Sequence, residues 1–203
     1  ALKRAIAMLE KAEGAGHQAL VMPVTNYAGV LMLQGRYSDA EPLLRQALGI
    51  AEKTFGPASG DVAMILDTHA GLLERMGRPR DAEPLRVRAV SILDKVHGPG
   101  SPELAYGLVG LARLRSDLGR FTEAGKASQQ ALNILEKAYG PDHPTTGLAL
   151  AVQGRILLSQ NDWDQADPIL QRALRISEKT KGADNPENTE ELAMLMGVSL
   201  GKG

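Results

Sequence analysis

The chain has 203 residues, 43% hydrophobic and 23% charged, an ordinary globular balance that excludes disorder for most of its length. Its formal net charge of -1 supplies no basic field to gather nucleic acid or an anionic membrane, and no apolar run approaches the roughly 20 residues that span a bilayer. The absence of cysteine excludes disulfides, thiolate zinc sites and a cysteine nucleophile, and fits either a reducing or an oxidising compartment.

The first element, ALKRAIAMLEKAEG, is amphipathic rather than signal-like, and it ends on Gly14. A second helix is expected from Tyr37 to Phe55, where Ala40, Leu43, Leu44, Ala47, Leu48 and Ile50 form the i, i+3, i+4, i+7 stripe of an amphipathic helix. Its equivalents begin at Pro79, Phe121 and Trp163. Each of these helices should stop at a glycine, Gly56, Gly98, Gly140 or Gly182, because a side chain would be strained at a left-handed C′ position. The turns GPGSPE, GPDHPT and GADNPE then start the next helix at Pro102, Pro144 and Pro186, since the first helical residue needs no N–H. Ser101 and Asn185 are suited to cap them. Pro42, Pro84 and Pro168 fall inside predicted helices, all in the same early turn, and a bend or an irregular start is expected there.

These elements repeat. Gly35, Gly77, Gly119 and Asn161 share one slot at steps of 42 residues with no insertion. The alanines 40, 82, 124 and 166, the alanines 47, 89, 131 and 173, and the isoleucines 50, 92, 134 and 176 keep the same interval. A small column, Ala28, Ala70, Ala112 and Gly154, lets the two helices of a unit touch. The chain thus divides into a half-repeat 1–17, repeats at about 18–59, 60–101, 102–143 and 144–185, and a terminal helix 186–203, all within one repeat domain. Residues 1–14 align on the end of a second helix, Glu187 to Leu200 read as a further first helix, and Gly203 reaches the repeat-glycine slot. Both ends fall mid-repeat and Ala1 is not an initiator methionine, as expected for half-repeats that act as caps or for a piece of a longer array.

Helix pairs with these small and glycine positions resemble tetratricopeptide repeats. The 42-residue period, QGRYSDAEPLLRQAL, the EK-then-glycine helix end and GPDHP are similar to the kinesin light chain type over essentially the whole chain. The resemblance implies an all-α, right-handed superhelical solenoid of stacked antiparallel helix pairs. It also implies a concave groove, lined by the first helices, that binds a peptide or partner domain without chemistry. The asparagine that such repeats typically carry before the small column is present at Asn26 and replaced by Thr68, Gly110 and Val152.

On that phase the groove is expected to hold Thr25 and Gly29, Asp67 and Gly71, Val109 and Arg113, and Ala151 and Arg155, with Met22, Met64, Tyr106 and Leu148 one turn further out. It should be apolar at its start, acidic around Asp67 and Glu74, and basic at Arg113 and Arg155, whose guanidinium groups suit bidentate carboxylate binding.

No constellation for catalysis, a metal or a cofactor stands out. In GRFTEAGKAS, Gly125 follows Gly119 by six positions where a phosphate loop needs five, and Ala127 replaces the metal-binding hydroxyl. His17, His69, His97 and His143 lack zinc-ligand spacing. His143 should cap or fill its turn, and His69 should pack between units. Glu190 and Glu191 read as a solvated face, and Trp163, in the slot of Tyr37 and Phe121, as inter-helix core. The expected function is a non-catalytic protein-interaction scaffold. Two alternatives remain open: a sensor or spacer within a larger protein, and a module that self-associates through its terminal half-repeats.

Overall fold

A computed structural model describes residues 2–202, apart from the side chain of Glu187. Among the described residues all regular structure is helical. The chain divides between Gly98 and Pro99 into two compact units.

The first unit contains α1 (Leu2–Glu13), a 3₁₀ turn (Gln18–Leu20), α2 (Val21–Leu33), α3 (Tyr37–Phe55), α4 (Gly60–Arg75) and α5 (Pro79–His97). The second contains α6 (Pro102–Asp117), α7 (Phe121–Tyr139), α8 (Pro144–Ser159), α9 (Trp163–Lys181), a 3₁₀ turn (Pro186–Asn188) and α10 (Thr189–Lys202). Within each unit every helix packs on its successor, most closely as the pairs α2–α3, α4–α5, α6–α7 and α8–α9. Like helices also touch across one repeat, α2 with α4 in the first unit and α6 with α8 and α8 with α10 in the second. The four second helices start at Tyr37, Pro79, Phe121 and Trp163, as the 42-residue register predicts.

Local chemistry explains the boundaries. Gly35, Gly77 and Gly119 take φ of 72° to 76°, and Asn161, in the same slot, takes 59°. Asparagine is the side chain that best tolerates this left-handed turn. The next amide closes it, Arg36 N–H donating back to the Leu31 carbonyl at 2.9 Å and Asp162 N–H to Leu157 at 3.0 Å. The glycines ending the second helices differ from the expected left-handed C′ geometry: Gly56, Gly98, Gly140 and Gly182 lie at φ 86° to 97° with ψ 147° to 165°. That region is open essentially to glycine alone, so the residue requirement stands although the turn type changes.

At helix starts, Ser59 and Ser101 hydroxyls accept from the Val62 and Leu104 amides, and His143 Nδ1 accepts from Thr145 N–H at 3.2 Å while its ring stacks on Tyr139. The expected Asn185 cap is different. Asn185 precedes a 3₁₀ turn, its amide reaches back to the Lys181 carbonyl, and α10 begins only at Thr189. Asn188 ties the turn instead, donating to the Gly182 and Ala183 carbonyls and accepting from Ser177 Oγ at 2.7 Å. Gly203 lies outside the described residues.

Pro42, Pro84 and Pro168 sit inside α-helices that run on without a break. Each leaves one carbonyl four residues back without its amide, and those residues, Ser38, Arg80 and Asp164, are exposed, so water takes the place of the missing donor.

Core packing follows the columns. In the first unit Ala40, Ala47, Leu44, Ile65, Leu66 and Leu72 are buried in one cluster. In the second, Trp163 packs with Ala166, Leu170 and Val198, and Gly201 lies so close that a Cβ there would meet the indole at 2.6 Å. Trp163 is inter-helix core, as its slot implied.

Candidate functional site

In the first unit the expected groove residues separate by environment. Met22 is 46% exposed and Met64 39%, Asn26 is exposed, and the space beside Gly29 and Gly71 is open. Thr25 departs from expectation. It is buried, and its hydroxyl donates to the Val21 carbonyl of its own helix at 2.7 Å, so it offers little to a ligand.

The acidic patch around Asp67 and Glu74 is partly paired. Both carboxylates bind Arg86 of α5, a residue only 5% exposed: Nε donates to Glu74 Oε1 at 2.7 Å and an Nη to Asp67 Oδ1. This part of the surface therefore presents an ion triad in which two carboxylates share one guanidinium, and it keeps a net charge of -1. A signal for it exists in the register. Leu44, Arg86, Ser128 and Leu170 share one column, so an arginine stands where the first and fourth repeats bury leucine.

His69 of α4 is buried, and neither ring nitrogen has a hydrogen-bond partner among the described residues. Its nearest charge is Glu41 of α3 at 4.0 Å, which is itself paired with Arg45 at 2.5 Å and Arg78 at 3.2 Å. Burial pushes His69 below its ordinary value of 6.5, outweighing the pull of Glu41 and reinforced by Arg45 and Arg78. Unfolded chain binds this proton near pH 6.5, and folded chain only at lower pH. The stability of the neutral form is thus complete above about pH 6.5 and is lost as pH falls toward the depressed folded value. Urea midpoints at pH 7.5 and 5.5 should fall for the native chain by more than for His69→Leu, the residue of the equivalent position Leu111. The slope from this one group should be no more than about 1.4 kcal/mol per pH unit. Equal acid sensitivity in both proteins would exclude His69 as the cause.

The second unit gathers its predicted residues. Val109 and Arg113 of α6 and Leu148, Ala151, Val152 and Arg155 of α8 line one cleft of about 280 Å³, closed by Glu190 and Glu191 of α10. Tyr106, 49% exposed, places its hydroxyl 3.5 Å from that of Tyr139, and Leu148 is 59% exposed. Arg113 and Arg155 therefore line one cleft, together with apolar Val109, Leu148, Ala151 and Val152.

The two glutamates were missed as cleft residues. Glu191 is not part of a solvated face: it is 7% exposed, and its Oε2 is buried without a hydrogen-bond partner among the described residues. It also lines a smaller, mostly apolar cleft with Leu148 and Ile176. The register contained the clue, because one repeat back Glu191 aligns with buried Ala149, and before that with Gly107 and Ile65. Glu190 extends the column of Met22, Met64, Tyr106 and Leu148.

A tetratricopeptide repeat profile matches residues 17–95 and 103–179. The chain belongs to the tetratricopeptide repeat family. Its fold is similar to that of BtubC (BKLC) from P. vanneervenii, with a TM-score of 0.81 and 24% identity over 100% of this chain and 85% of that one. A putative kinesin light chain from Podospora anserina with nearly identical repeats is similar at a TM-score of 0.78 and 20% identity, covering 92% of this chain and 89% of that one. The apo form of RapI is similar at 0.78 and 13%, covering 99% and 75%. Comparison with curated proteins returned no match. The family and these neighbours agree with the expected all-α solenoid of kinesin light chain-like type, in a family whose members are generally non-catalytic interaction scaffolds. No helix among the described residues is long and apolar enough to cross a membrane.

Proposed function

We propose that this tetratricopeptide repeat chain is a non-catalytic scaffold that holds an extended peptide, and that the cleft between α6, α8 and α10 is where an acidic side chain of that peptide docks. The observation that carries this reading is the presence of Arg113 and Arg155 in the wall of one cleft, together with Val109, Leu148 and Ala151. Two guanidinium groups over an apolar floor suit a carboxylate flanked by aliphatic side chains, because each can donate two parallel hydrogen bonds. In the first unit Met22 and Met64, both exposed, add an adaptable apolar surface that accepts varied side chains. The near-neutral net charge of -1 favours a peptide over nucleic acid as the partner.

Fluorescence anisotropy with labelled leucine- and aspartate-containing octapeptides tests this. Replacing both Arg113 and Arg155 with alanine should weaken binding by about 1–3 kcal/mol. Unchanged affinity in the double variant, or no binding of acidic peptides by the native chain, would dispose of the reading.

A further inference from the structure

A carboxylate that is buried without a partner is a costly thing for a fold to keep, because burial removes its water and nothing replaces the lost hydrogen bonds. Glu191 is such a group. It is 7% exposed, its Oε2 is unpartnered among the described residues, and it forms part of the wall of the cleft that Arg113 and Arg155 also line. Its register position shows that the fold does not need an acid there. The equivalent position in α8 is Ala149, which is 1% exposed and apolar. Helix α10 would pack at this point with alanine, so the carboxylate is an addition to the packing surface rather than a requirement of it.

The cleft therefore carries both signs of charge within one small volume: two guanidinium groups from α6 and α8, and two carboxylates from α10, one exposed and one buried. A purely acidic ligand would meet the arginines favourably and bring its charge toward Glu190 and Glu191 unfavourably. A purely basic ligand has the reverse difficulty. Complementarity is complete only for a ligand that presents an anion and a cationic donor side by side.

We propose that Glu191 is a specificity-determining residue of this cleft, accepting a hydrogen bond from a lysine or arginine that stands next to the acidic residue held by Arg113 and Arg155. The preferred partner segment is thus a peptide with adjacent acidic and basic residues. This rests on the peptide-binding reading given above and adds the second charge to it. The basic side chain supplies a donor to the Glu191 carboxylate, while the acidic one lies against the apolar residues of the cleft. The discrimination is strong for a physical reason: a site with a buried acceptor penalises every ligand that leaves the acceptor unpaired.

The test uses three labelled octapeptides of equal length on a leucine and serine background, one with an adjacent aspartate and lysine, one with two aspartates and one with two lysines. Anisotropy titrations are run against the full chain, Glu191→Gln and Glu191→Ala, the last placing at this position the residue that α8 carries. The native chain should bind the mixed peptide about tenfold more tightly than the two-aspartate peptide. Both variants should lose that preference, chiefly through weaker binding of the mixed peptide, while holding the two-aspartate peptide as well as or better than the native chain. Thermal melting of each variant checks the fold, and a ratio of affinities within one protein is insensitive to a loss of folded material. If the native chain binds the two aspartate-containing peptides equally and neither variant changes the ratio, the role of Glu191 is overturned while the peptide-binding reading stands. If none of the three peptides binds, that reading falls and this inference with it.

Discussion

Arg86→Ala is expected to destabilise the first unit by about 3–5 kcal/mol, toward the lower end because Asp67 keeps nearly half of its side chain, 48%, in solvent. The loss has two parts. Glu74, whose side chain is only 15% exposed, is left as a buried charge with its guanidinium partner gone, and the α4–α5 contact loses the aliphatic stem of the arginine. The repeats themselves provide the control. Where the second repeat has Asp67, Glu74 and Arg86, the first has Thr25, Met32 and Leu44, and the fourth has Ala151, Leu158 and Leu170. The charged triad occupies positions that an apolar set fills elsewhere in the same chain. A triple variant, Asp67→Ala with Glu74→Leu and Arg86→Leu, should therefore recover much of that loss, since it removes the acids together with their guanidinium and restores a set that packs in the fourth repeat. Arg86→Leu alone should resemble Arg86→Ala, because it fills the space but takes the guanidinium away from both acids. Denaturant midpoints for the three proteins decide the matter. A triple variant as unstable as either single one would show that the column does not transfer between repeats.

In the second unit, Leu170→Ala should cost about 2–5 kcal/mol, the range for emptying a fully buried leucine site. Gly154 of α8 makes the site unusual. A Cβ on this residue would lie 2.3 Å from Leu170 Cδ2 and 2.5 Å from its Cγ. Gly154→Ala should therefore cost about 1–3 kcal/mol through overpacking, even though the same column carries alanine at positions 28, 70 and 112. The two substitutions are predicted to compensate each other, the methyl group moving into space that the leucine vacates. The double variant should be more stable than Leu170→Ala alone, a coupling that a double-mutant cycle reads directly. Strict additivity would mean that α8 and α9 shift apart to relieve the overlap.

The fold was legible because its signals are local and repeated. Gly35, Gly77 and Gly119 mark a 42-residue step, Ser101 announces a cap, and the alanine columns announce helix faces that touch at an interval that chance does not sustain over four copies. The candidate site was legible only in half. Arg113 and Arg155 were placed together because they occupy equivalent positions on helices one repeat apart. Glu191 was missed because it was judged from its neighbour Glu190 as part of a charged pair, whereas successive residues on a helix point about 100° apart and only one of the two faces outward. Thr25 is buried and spends its hydroxyl on Val21, and Asp67, although half exposed, is tied to Arg86, bonds that the register alone does not show.

Amino-acid order by itself determined the 42-residue period, the helix starts at Tyr37, Pro79, Phe121 and Trp163, and the turns, since caps and glycine dihedral angles depend on residues within a few positions of one another. Only the tertiary structure decided which charges meet: Arg86 with Asp67 and Glu74, Glu41 with Arg78, and Glu191, whose Oε2 has no partner among the described residues, in the wall of an arginine-lined cleft. Such pairings depend on the distance between side chains on different helices, and a shift of one residue in helix phase, about 100°, makes or breaks them.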